Sequence, residues 1–98
     1  MTVSTRELEI KHAPKKNRFY IALPSQGSAY LDYRLLENHE PSIMEFTHTF
    51  VTKSFRNQGI ASKIVKHGLE YAREKGYEIK PICPFVIDYV KEHPEFQS

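Results

Sequence analysis

The chain has 98 residues, 40% hydrophobic and 27% charged, with six Tyr, six Phe and a net charge of +2. That length allows one small domain, residues 1–98, and the composition is that of a globular protein, which excludes a disordered chain. No run approaches the roughly 18 apolar residues of a membrane helix, and no secretory leader is visible, so no membrane partner is expected.

Glu7–Lys11 sets Leu8 and Ile10 against charged neighbours and reads as a first strand. His12–Asn17, with Pro14 and two lysines, reads as a turn. Arg18–Leu23 is rich in strand formers and stops at Pro24-Ser25-Gln26-Gly27. Ala29–Leu36 and Ile43–Val51 are the third and fourth strands, separated by a turn over Glu37–Pro41. Short connections between successive strands predict an antiparallel meander. The period then changes. Ala61, Ile64, Val65, Gly68, Leu69 and Ala72 recur at helical spacing, which predicts a helix over Ala61–Lys75 with Gly76 as its C-terminal cap. Gly68 costs such a helix up to about 1 kcal/mol relative to Ala, and close approach to the sheet would explain it. Tyr77–Ile82 reads as a fifth strand, parallel to the fourth across a right-handed crossover. Pro84 suits the first turn of a last helix, Pro84–Lys91, ended by His93-Pro94. The fold class is therefore α/β (α+β).

A single cysteine cannot form an internal disulfide, which favours an intracellular, cytoplasmic setting. Lys11, Lys15, Lys16 and Arg18 form a modest basic cluster, better read as a solvated face than as a nucleic-acid footprint. The five histidines are scattered without ligand spacing, so no metal is expected.

The informative stretch is Val51–Ser62. A polar loop reaches Gly59 where the long helix begins. The first N–H groups of a helix lack partners and carry partial positive charge, so an anion can satisfy both. Gly59 lets backbone approach a phosphate closely. Neither a P-loop nor a dinucleotide fingerprint is present. Instead Arg56-Asn57-Gln58-Gly59-Ile60-Ala61 follows a strand ending in Val51. This run resembles the acetyl-CoA pyrophosphate loop of the GCN5-related N-acetyltransferase (GNAT) superfamily. His48-Thr49-Phe50-Val51 and Pro81-Ile82-Cys83-Pro84-Phe85 resemble segments of a small GNAT-like branch. One departure is plain: only His12–Asn17 separates the first two strands, where the larger family has helices on the acceptor side.

The resemblance implies an acetyl-CoA-binding N-acetyltransferase acting on a primary amine, a small molecule or a lysine side chain. The alternative is a non-catalytic acyl-CoA-binding or interaction module. A monomer or weak dimer is expected. Phe50 and Val51 would contact the pantetheine arm and thioester. Arg56, Asn57, Gln58, Gly59, Ile60 and Ala61 would hold the pyrophosphate, with a hydroxyl contact from Ser62. Three residues are catalytic candidates. A primary amine near pKa 10.4 is protonated at neutral pH and needs a base or a desolvating site. His48 could be that base, or a core histidine, since alternation puts it with Met44, Phe46 and Phe50. Glu45, on the other face with Thr47 and Thr49, is a second possible base or a solvated carboxylate. Cys83, just before Pro84, falls at a helix N-cap, which lowers a thiol's pKa. It could accept an acyl group, or be a small buried hydrophobe. Tyr89 falls where many GNAT enzymes place the acid for the leaving thiol, and it could equally be core, paired with Phe85.

Overall fold

The computed structural model describes residues 9–23, 27–53 and 59–97. Five strands form one sheet in chain order: β1 (Lys11–Ala13), β2 (Arg18–Leu23), β3 (Gly27–Leu36), β4 (Ile43–Val51) and β5 (Glu78–Pro81). Neighbours pair antiparallel except β4 and β5, which run parallel. They are joined through α1 (Ile60–Lys75), and α2 (Pro84–Glu92) follows β5. The mixed α/β class and the strand order agree with the sequence.

The first strand is displaced. Glu7 and Leu8 lie outside the described residues, and pairing begins at Lys11 opposite Tyr20. His12 and Ala13 belong to the strand and not to the turn. Pro14 opens a single 3-10 turn, and Asn17 reverses the chain in the left-handed region at φ 53°. This tight return lets pairing run to Ala13 opposite Arg18. His12 is then drawn into the core edge, where it stacks on Phe19 at 4.3 Å and lies 2.7 Å from the Tyr33 hydroxyl.

Phe19, Ile21, Ala29, Leu31, Tyr33, Met44 and Phe46 line one face of the sheet and are buried. The apolar stripe of α1, including Ile64, Val65, Leu69 and Ala72, packs on them, as do Val86, Tyr89 and Val90 of α2. Both helices therefore serve one face. The opposite face, with Arg18, Tyr20, Tyr30, Asp32 and Arg34, has no helix over it among the described residues.

Gly68 explains how closely α1 approaches. A Cβ there would stand 2.6 Å from the Leu31 Cδ2 and 3.1 Å from the Phe46 ring. Gly68→Ala should gain about 1 kcal/mol of helix propensity but lose about 1–3 kcal/mol to overpacking. A lower melting temperature for this variant is the expected outcome; an unchanged or higher one would contradict the close approach.

Candidate active site

The site starts from a register shift. Asp32 pairs with His48 while Tyr33 pairs with Phe46, so Thr47 is an extra residue in β4, a bulge. A bulge moves every later side chain to the opposite face. Thr49 and Val51 now share a face with Leu31 and Ala29, on the helix side. His48 and Phe50 turn outward, against Tyr30: its ring lies 5.8 Å from His48 and 5.2 Å from Phe50. Simple alternation is thus corrected. His48 is exposed, not a core histidine.

The same place is where β5 leaves the sheet. The Phe46 carbonyl accepts from the amides of both Ile82 and Cys83, at 3.0 Å each, and the chain then turns into α2. On its β5 side, β4 has a strand partner among the described residues only along Ile43–Phe46. From Thr47 onward the start of α2 stands beside that edge, with Cys83 against Thr49. A bare strand edge presents N–H and C=O groups to any extended chain that enters.

Cys83 is buried here as the N-cap residue of α2, with Pro84 in the first turn. Its sulfur lies 3.5 Å from the Thr49 hydroxyl. Burial alone would push the thiol's pKa up. The Thr49 hydroxyl and the amides of Phe85, Val86 and Thr49 outweigh it, and the net pKa lies below the ordinary thiol value. These amides point at the sulfur without closing a formal capping hydrogen bond. The rate of alkylation of Cys83 should therefore rise with a midpoint below the usual value of about 8.5. Thr49→Val should move that midpoint upward; no movement would remove Thr49 as its cause.

α1 begins at Gly59, in the left-handed region at φ 75°, with nothing within 4 Å of where a Cβ would stand. The first intrahelical bond runs from the Lys63 amide to the Gly59 carbonyl, so the amides of Gly59, Ile60, Ala61 and Ser62 have no intrahelical acceptor. Among the described residues no side chain caps them, and the first turn carries no acidic residue. Gly59 and Ser62 are exposed, whereas the Ile60 side chain is buried and anchors the turn. Arg56, Asn57 and Gln58 lie outside the described residues.

Two candidates stand apart from Cys83 and Thr49. Glu45 is neither solvated nor free: it is 5% exposed, with Arg34 at 2.7 Å and Lys80 at 3.8 Å. Its carboxylate is taken up by these two ion pairs. Tyr89 is buried and stacks on His93 at 4.0 Å, with Phe96 beyond. It lies six residues after Cys83, so about 9 Å further along the helix axis. Burial first, then Glu95 and Glu70, raise its phenol pKa, so it keeps its proton. Phe85 is exposed and not on the helix's buried side. Thr49 is the residue that alternation misses; only the bulge turns it toward Cys83.

Among the described residues no group of His, Cys, Asp or Glu could hold a metal, and no helix is long and apolar enough to cross a membrane.

A family model described as GCN5-related N-acetyl-transferase matches residues 18–98. Protein NATD1 of Gallus gallus is 28% identical over 87 residues, covering 89% of this chain and 77% of its own length. Protein NATD1 of Danio rerio is 28% identical over 97 residues, covering 99% and 86%. An NMR structure of a GCN5-like protein from Staphylococcus aureus superposes with a TM-score of 0.69 at 29% identity, covering 91% of this chain and 83% of that one. A ribosomal-protein-alanine N-acetyltransferase from Brucella melitensis superposes at 0.59 with 17% identity, over 83% of this chain and 60% of that one, a likeness of fold alone.

Proposed function

The chain belongs to the GCN5-related N-acetyltransferase family, and on that premise we propose that it moves an acetyl group from acetyl-CoA to a primary amine by direct transfer. The observation that carries the reading is where β4 parts from β5: pairing stops at Phe46, the Thr47 bulge follows and Cys83 stands against Thr49. We take the cofactor cleft to run from there to the start of α1.

These residues fit an elongated co-substrate with a phosphate-bearing end. The amides of Gly59–Ser62 suit a pyrophosphate, together with Arg56, Asn57 and Gln58 of the preceding loop. The edge from Thr47 to Val51, including Phe50, suits the amide-bearing pantetheine arm. Acetyl-CoA, when bound, supplies an activated acyl group as a thioester. The protein's part is placement and proton handling. Phe50 and His48 face the open side of the sheet, so an amine approaching from there meets the His48 imidazole first. His48 takes the proton that the amine must lose. Cys83 and Thr49 line the inner wall and present a sulfur, a hydroxyl and an amide to the reacting end. Cys83 is a neighbour of the thioester rather than an obligatory acyl carrier. Tyr89, buried about 9 Å along α2 from Cys83, keeps its proton and belongs to the core.

The rival is an acyl-CoA-binding module without turnover, motivated by the uncovered sheet face. Time-dependent release of free thiol from acetyl-CoA with a panel of amines separates them. Amine-dependent release supports the transferase; binding of acetyl-CoA with no release from any amine supports the module.

A further inference from the structure

The uncovered face of the sheet is ordered in two cross-strand rows. Arg18, Asp32 and His48 are register partners across β2, β3 and β4. Two residues along, Tyr20, Tyr30 and Phe50 are partners in the same way. The second row is an aromatic ladder. Tyr30 stacks on Phe50 with 26° between the planes, and the Arg18 guanidinium lies 3.9 Å from the Tyr30 ring centre. The three rings are half-buried, and no helix lies over them among the described residues.

The ladder joins two places. Its β4 end, Phe50, is at the mouth of the cleft, beside His48. Its β2 end opens into a cavity of about 260 Å³ lined by Ala13, Lys16, Arg18, Tyr20, Ser28 and Tyr30. No carboxylate is among these lining residues. Asp32 neutralises Arg18 through two bonds, at 2.5 and 3.1 Å. Lys16, and Lys11 opposite Tyr20, have no ion-pair partner among the described residues. The charge is therefore positive at one end of the ladder, with the imidazole at the other.

We propose that this face seats the acceptor and selects a primary amine that also carries an anionic group, with a flat or apolar body between the two. The anion meets Lys16, the body lies along Tyr20 and Phe50 beside the Arg18–Tyr30 stack, and the nitrogen reaches His48. The β2 end of the ladder and His48 are two strands apart, so the amine and the anion are separated by about 10 Å. An α-amino acid, whose two charges are adjacent, is too short. Carboxylate and phosphate satisfy the cations equally in kind. The proposal rests on the transferase reading for its choice of occupant, but its test does not need turnover.

The test is a titration of the full chain with matched amines, followed by the NMR signals of Tyr20, Tyr30 and Phe50. The probes are phenethylamine, phenylalanine, 4-(2-aminoethyl)benzoate and O-phosphotyramine. The expected result is ring shifts with at least tenfold tighter binding for the last two than for phenethylamine or phenylalanine. Lys16→Glu should bring that ratio close to one. Which of the two anionic probes binds tighter distinguishes a carboxylate-bearing from a phosphate-bearing acceptor. Equal affinities, an unchanged ratio in Lys16→Glu, or no shifts on the ladder would each overturn it. So would ladder shifts driven by protein concentration alone, or tighter binding of an oligouridine than of O-phosphotyramine. Those outcomes assign the face to a second copy or to a single-stranded nucleic acid. Thiol release with amines of any charge, together with a silent ladder, would sink this proposal and leave the transferase reading standing.

Discussion

Alanine in place of His48 is expected to lower kcat for acetyl transfer by about two orders of magnitude, the lower range for loss of a general base. Affinity for acetyl-CoA should be unchanged, because His48 faces the open side of the sheet and not the cleft wall. The effect is this large because almost every amine molecule at neutral pH is protonated, and an ammonium has no lone pair to attack with. The structure removes the competing explanation for the residue. His48 is exposed, and its described ring contact is with Tyr30. Truncating an exposed side chain should cost little stability. A measured fall in kcat at constant melting temperature and constant Kd for acetyl-CoA would support the base role, and partial rescue by added imidazole would strengthen it. Full activity in His48→Ala would end it.

Phe46→Ala is the substitution expected to harm the fold most, by about 3–5 kcal/mol for a fully buried aromatic. Phe46 is 0% exposed and stands where three features meet. Its ring is one of the groups that excludes a Cβ from Gly68, so it sets the contact between β4 and α1. Its carbonyl accepts both amides that turn β5 into α2. It is also the last residue before the Thr47 bulge. A small domain has about 5–15 kcal/mol to lose, so the variant should sit near the edge of folding. Chemical denaturation is the measurement. A loss under about 1 kcal/mol would mean that the ring is not the wedge between sheet and helix that the packing implies.

Most of the architecture was legible in the residues. The helical period from Ala61 to Ala72, Gly76 after it and Pro84 at the start of α2 each signal local structure through backbone chemistry alone, and the structure places all three as expected. Gly68 was readable as a close approach because a glycine in a helix otherwise only costs stability. The bulge was not readable. Ile43–Val51 contains no Gly or Pro to mark it, and a single inserted residue in an alternating run leaves no local trace. Its consequence is large, since it reassigns His48 and Phe50 to the open face and Thr49 to Cys83. Glu45 illustrates a second limit: its partners Arg34 and Lys80 come from neighbouring strands, and pairing register is a tertiary property. The first strand was misplaced by a few residues because what holds it, His12 on Phe19 and Tyr33, is likewise non-local.

The central claim is that the cleft running from Cys83 to the start of α1 holds acetyl-CoA, and isothermal titration of the full chain with acetyl-CoA tests it most directly. Gly59→Asp is the paired variant: it places a carboxylate at the uncapped helix start, where a phosphate would otherwise bind. The account predicts saturable one-to-one binding by the wild-type chain, weakened at least a hundredfold in Gly59→Asp and also reduced in Arg56→Ala. Absence of binding at near-millimolar acetyl-CoA, or binding that Gly59→Asp leaves intact, would contradict it.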